Sequence, residues 1–148
     1  MSTRFGIVVG AAALLTATDL IVKAALPSQL SHHRSATWAI ASLVLLVASP
    51  LAARLPSRLL AFAAGVFAGG LASNLASAAL HHGVVPNPFV VGDAAFNLAD
   101  VLLLAGIVLG IVATMRLARR YRHLLPTHTI PVRLARYVAA RCAAARNG

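Results

Sequence analysis

Acidic side chains are almost missing from this chain: Asp19, Asp93 and Asp100 are the only three in 148 residues, against 13 lysines and arginines. Only 11% of the residues are charged, where a soluble domain carries roughly a quarter. A single cysteine, Cys142, excludes an internal disulfide. No glycine-rich nucleotide loop is present, so nothing points to energy coupling. What the chain does contain is apolar: 59% of residues are hydrophobic and the mean hydropathy is +0.83. Several apolar runs are long enough to cross a hydrocarbon core roughly 30 Å thick, which defines one small polytopic membrane domain. The net charge of +10 does not call for nucleic acid, because the basic residues sit in short segments between and after the runs.

The runs predict an all-α membrane protein with four transmembrane helices over residues 5–26, 37–53, 59–80 and 96–115. Pro27, Pro50, Pro56, Pro86 and Pro88 punctuate the connections. Arg4, Arg54 and Arg58 flank one end of the spans, and Arg116, Arg119, Arg120 and Arg122 follow the fourth. Arg34 alone is basic in the loop after the first span, and the 81–95 loop has no lysine or arginine. Both termini are therefore expected in the cytoplasm and both of those loops outside. A cleaved signal peptide is the weaker alternative for the start, since the first run continues through Asp19 to Leu26. Residues 1–115 form the membrane domain and 116–148 a basic cytoplasmic tail. In that tail Arg133, Arg136, Arg141 and Arg146 recur among apolar residues, as in an interfacial helix on an anionic leaflet, with a disordered basic tail as the alternative.

Gly65, Gly69, Ser73 and Ser77 recur at a spacing of four along the third span, which lets a neighbouring helix approach closely. Gly6 with Gly10, and Gly106 with Gly110, offer the first and fourth spans the same option. Ser77 is explained equally well as a small residue of that stripe.

Polar residues inside apolar runs are costly, about 2.5–3.5 kcal/mol for a mid-bilayer aspartate on insertion scales, and usually mark function. On the expected topology the outer third of the bundle collects Asp19, Lys23, Asn74, Ser77, Asn97 and Asp100. Asp19 and Lys23, four apart, can pair on one helix face. Asn97 is placed to cap the fourth helix with Asp100 in its first turn. Asn74 can bond a neighbouring helix. Each has that ordinary role available, but three helices bring these groups to one depth.

These residues resemble signal peptidase II, the lipoprotein signal peptidase family. Asp19-Leu20-Ile21-Val22-Lys23 is similar to that family's Asp-x-x-x-Lys, and Gly69-Gly70-Leu71-Ala72-Ser73-Asn74-Leu75 to its Gly-Gly-x-x-Gly-Asn-Leu. His82-Gly83-Val84-Val85 is similar to its His-Gly-x-Val-Val-Asp loop, and Phe96-Asn97-Leu98-Ala99-Asp100 to its Phe-Asn-x-Ala-Asp. The resemblance implies a multi-pass protein of the bacterial inner membrane, with no cofactor, that cuts lipid-modified preproteins at the outer face. It implies an aspartate pair, one ionised to activate water and one protonated to polarise the scissile carbonyl. Asp100 matches one member, with Asn74, Asn97, Asp19 and Lys23 in supporting positions.

The departures define a second reading. Ser77 stands at the position matched to the dyad partner, Ala78 replaces the following arginine, and Pro86 replaces the loop aspartate. A serine hydroxyl cannot share a proton as a carboxylate does near neutral pH. The first external loop is short, and the substrate-cradling Asn-x-Gly-Ala-Ala-Phe stretch is missing. Asp93 is a poor substitute on sequence grounds. A metal site built from His32, His33, His81, His82 and Asp93 is also conceivable, but no pair has the spacing of a helical metal site. Two expectations stay open: a divergent membrane aspartic endopeptidase, or a silent relative that binds membrane lipid, a lipopeptide or a partner protein in the same cavity.

Overall fold

The computed structural model describes residues 3–121, and the molecule is mostly helical, at 74%. The order is α1 (Thr3–Ala25), β1 (Leu30–His33), α2 (Ala36–Ala48), a 3-10 helix (Ser49–Arg54), α3 (Arg58–Leu80), β2 (Val84–Asn87), β3 (Phe89–Val91), β4 (Ala94–Phe96) and α4 (Leu98–Arg120). Among the described residues, four helices are long and apolar enough to cross a membrane, counting Ala36–Arg54 as one. By its contacts the chain divides into two units, Met1–Thr114 and Met115–Gly148. The interfacial helix expected within 131–146, and Cys142, lie outside the described residues.

Side-chain oxygens start the helices where the sequence changes character. Ser35 accepts the Trp38 N–H at 3.2 Å and Ser57 accepts that of Leu60 at 3.1 Å, satisfying donors that have no intrahelical partner. The second span is not a uniform α-helix as expected. Pro50 has no N–H to give the Leu46 carbonyl, so the ladder tightens to 3-10 from Ser49, whose own N–H reaches both Leu45 and Leu46 carbonyls. At 1.5 Å and then about 2.0 Å per residue, this limb still covers roughly 31 Å.

α3 is the hub. Of its best apolar window 56% is buried, against 11–17% for the other three spans. Its small residues decide this. A Cβ built on Gly65 would lie 2.8 Å from the Val8 carbonyl oxygen and from Ala11 Cβ, and one on Gly69 would lie 3.0 Å from Leu15 Cβ. On its other side, a Cβ on Gly70 would lie 2.6 Å from the Ala99 carbonyl oxygen. α1 therefore packs parallel to α3 with residue i near i + 54, while α4 packs antiparallel, with Gly106 against Phe67 and Ala99 near Gly70. The glycine pairs expected to serve α1 and α4 are used only in part, because Gly6, Gly10 and Gly110 face open space.

The loops that follow α1 and α3 carry short strands, which the all-α expectation did not include. β1 pairs antiparallel with β2, Leu30 opposite Asn87 and His33 opposite Val84, and β3 pairs with β4 in a short hairpin. His82 and Gly83, at φ of 53° and 89°, turn α3 into β2.

The close approach at Gly106 and Gly70 ends at backbone atoms that cannot swing away. Gly106→Ala and Gly70→Ala should each cost about 1–3 kcal/mol by overpacking. Gly10→Ala and Gly110→Ala, into open space, should be neutral or stabilise by up to about 1 kcal/mol. Unfolding in detergent, compared across the four variants, separates the two classes.

Candidate functional site

Asp19 lies on the face of α1 that meets α3, and its side chain has no exposed surface. Its Oδ2 meets the Lys23 ammonium at 2.7 Å and accepts a hydrogen bond from the Ser73 hydroxyl. Its Oδ1 accepts the Ala99 backbone N–H at 2.8 Å, one of the free donors at the start of α4. One carboxylate thus takes donors from α1, α3 and α4.

Lys23 spends all three of its protons. Besides Asp19, its Nζ donates to Asn74 Oδ1 at 2.8 Å and to Ser77 Oγ at 3.2 Å. The Lys23 side chain is only 5% exposed, so no donor is left for a ligand. Ser77 is buried and turned toward this ammonium.

Asp100 takes the other end of Asn74, whose Nδ2 donates to Asp100 Oδ1 at 3.1 Å. Asn97 and Asp100 form a reciprocal cap on α4. The Asp100 N–H donates to Asn97 Oδ1 and the Asn97 N–H to Asp100 Oδ2, both at 3.1 Å. The Asn97 amide also donates to Asn87 Oδ1 at 2.8 Å and to the Pro86 carbonyl at 3.3 Å, which ties β2 to the start of α4. Asn87 in turn donates to His32 Nδ1 on β1. Asp100 keeps 30% of its side chain exposed, and Arg34 Nη2 stands 3.9 Å from its Oδ1.

All six residues singled out from the sequence therefore meet in one hydrogen-bonded set. The pairing of Asp19 with Lys23 and the capping by Asn97 are both seen, and neither excludes a further role. Asp93 is different: it sits exposed beside Gly92 in the turn between β3 and β4. Among the described residues no three histidines, cysteines or acids converge as a metal site would require. His81 instead donates from Nδ1 to the Ser77 carbonyl at 2.8 Å, and His32 faces Asn87.

Four members of the set escaped the sequence reading. Ser73 registers there only as a small residue, Arg34 only as an exception to the charge asymmetry, His32 only as a metal candidate, and Asn87 not at all. Nothing in the spacing of residues 32–34 and 87 announces that β1 and β2 pair. Comparisons with family models, with curated proteins and with solved structures give no match.

Because Asn97 both caps α4 and holds β2, its two jobs can be separated. Asn97→Ala should cost about 1–2 kcal/mol, the upper part of the range for a lost cap. Asn97→Ser, which keeps an oxygen for the Asp100 N–H, should recover more than half of that loss. Denaturation of both variants in the same detergent measures the difference.

Proposed function

We propose that this chain is a signal peptidase II-like protein of the bacterial inner membrane, with both termini cytoplasmic, that keeps the family's pocket without its hydrolytic chemistry. On this reading it binds a membrane lipid or the lipid-modified end of a preprotein at the outer face. The arginine asymmetry supports the orientation, since both strand-bearing loops lie at the end poorest in lysine and arginine.

One observation carries the loss of chemistry: Asp100 has no second carboxylate to work with. Of the three acids in the chain, Asp19 is fully buried against Lys23, Ser73 and Ala99, and Asp93 stands in the hairpin turn. The groups bonded to the Asp100 oxygens are Asn74 and the Asn97 N–H, with Arg34 nearby. No acid stands beside Asp100 to supply the second carboxyl between which a two-aspartate mechanism divides its proton. At the two matched positions where an aspartate is missing, Ser77 is occupied by Lys23, and Pro86 offers only its carbonyl to Asn97.

The test is a prolipoprotein cleavage assay with the reconstituted full chain. The unaltered protein should not cleave. Cleavage is expected only when an acid is restored, either by Ser77→Asp with Ala78→Arg or by Pro86→Asp, and Asp100→Asn should abolish it again. Cleavage by the unaltered chain that Asp100→Asn removes would overturn this reading in favour of an active protease.

A further inference from the structure

Arg34 is the one basic group at this site whose donors are not used up. Its backbone N–H donates to the Gly83 carbonyl at 2.8 Å, which fixes its chain against the turn after α3. Its guanidinium stands 5.1 Å over the Trp38 ring, a cation–π contact that holds the group in place without using any of its N–H donors. At 3.9 Å, Asp100 is too far for a hydrogen bond. Among the described residues, the Arg34 Nε is the only buried side-chain nitrogen or oxygen without a hydrogen-bond partner. Buried donors are ordinarily hydrogen-bonded, so the unmet Nε marks a place for an acceptor that is brought to it.

Further along the same two helices there is somewhere for the rest of such a ligand to go. A groove of about 330 Å³ runs between α2 and α4 over α3, lined by Leu45, Ala48, Phe67, Gly106 and Ile107 among others. Leu45 is seven residues after Trp38, and Ile107 seven after Asp100. Seven residues is close to two helical turns, so each wall of the groove is continuous with the face that carries the polar group, about 10 Å deeper. Gly110, also on the groove wall, leaves open space where a side chain would be.

We propose that the cleft between α2 and α4 binds a phospholipid, with its phosphodiester on the Arg34 Nε edge, a headgroup N–H donor on Asp100 and an acyl chain in the groove. The guanidinium edge presents parallel donors to two phosphate oxygens. The Asp100 carboxylate opposes a bare anion and favours a ligand with a donor beyond its phosphate, as a primary ammonium has. Trp38 is in the first turn of α2, at the end of a candidate span, the position at which amphipathic rings meet headgroups. The assignment rests on the lipid-facing orientation proposed above, and names the class of lipid for that same pocket.

The full chain is reconstituted in nanodiscs, and retained lipid is read by native mass spectrometry, with phosphatidylethanolamine and phosphatidylcholine as probes. Retention of the ethanolamine lipid should exceed that of the choline lipid several-fold. Arg34→Gln should lower it roughly tenfold, Arg34→Lys should restore part of it, and Arg58→Gln at the opposite end of the bundle should change nothing. Gly110→Leu, filling the groove at a tolerant position, should lower retention with no change in melting. Asp100→Asn should erase the preference between the two lipids. Equal retention by Arg34→Gln and Arg58→Gln would overturn the site, and unchanged retention by Gly110→Leu would overturn the seat for the acyl chain. Displacement by millimolar phosphoethanolamine or inorganic phosphate would assign the site to a free phosphate instead of a lipid. None of these outcomes depends on the cleavage assay, so the lipid site and the loss of proteolysis stand or fall separately.

Discussion

A carboxylate with no exposed surface has to be both neutralised and hydrogen-bonded, and Asp19 meets these demands with groups from three helices. Lys23 supplies charge from its own helix, Ser73 a hydroxyl from α3, and Ala99 a backbone N–H from α4. In hydrocarbon there is no water to stand in for any of them, so the three helices are held at one relative height. Lys23 then extends the same constraint to Asn74 and Ser77, and Asn74 passes it to Asp100.

The rest of the architecture follows from having to bring those groups within hydrogen-bond distance. α3 carries glycine and serine where α1 and α4 approach, since any larger side chain would hold the backbones apart. The cost of the arrangement is that its internal cation is spent: every proton on Lys23 is committed to the scaffold. Arg34, which comes from the loop between α1 and α2 and stands 3.9 Å from Asp100, is not committed in this way: its Nε has no hydrogen-bond partner. On the proposed reading, structural work and recognition fall to different cations.

How far the sequence discloses this depends on whether the signal is local. The spans are legible because a bilayer fixes their length, and the Asp19–Lys23 pair because four residues make one helical turn. Asn97 and Asp100 are legible as a cap for the same reason. The convergence of the six polar residues follows from topology, since a common depth leaves them few other places to face. Pairings between distant segments are another matter. Leu30–His33 is four residues long with no alternation, and its partner strand lies more than fifty residues on and contains a proline, so neither reads as a strand. The role of Arg34 depends on that pairing and on the turn at Gly83, and so it stays hidden with them. The glycines show the opposite failure: Gly6 and Gly10 have the spacing of a packing motif yet face open space, because the motif records only that an approach is permitted.

The shared Asp19 carboxylate is tested most directly by a double-mutant cycle on unfolding in detergent, using Asp19→Asn, Lys23→Met and the pair together. Removing Lys23 alone strands a buried charge and should cost about 3–5 kcal/mol. Removing both should cost clearly less than the sum, with a coupling of at least about 1.5 kcal/mol, within the range for contacting residues. Strictly additive effects, each below about 0.5 kcal/mol, would mean that the three helices are held by apolar packing alone and that this carboxylate organises nothing.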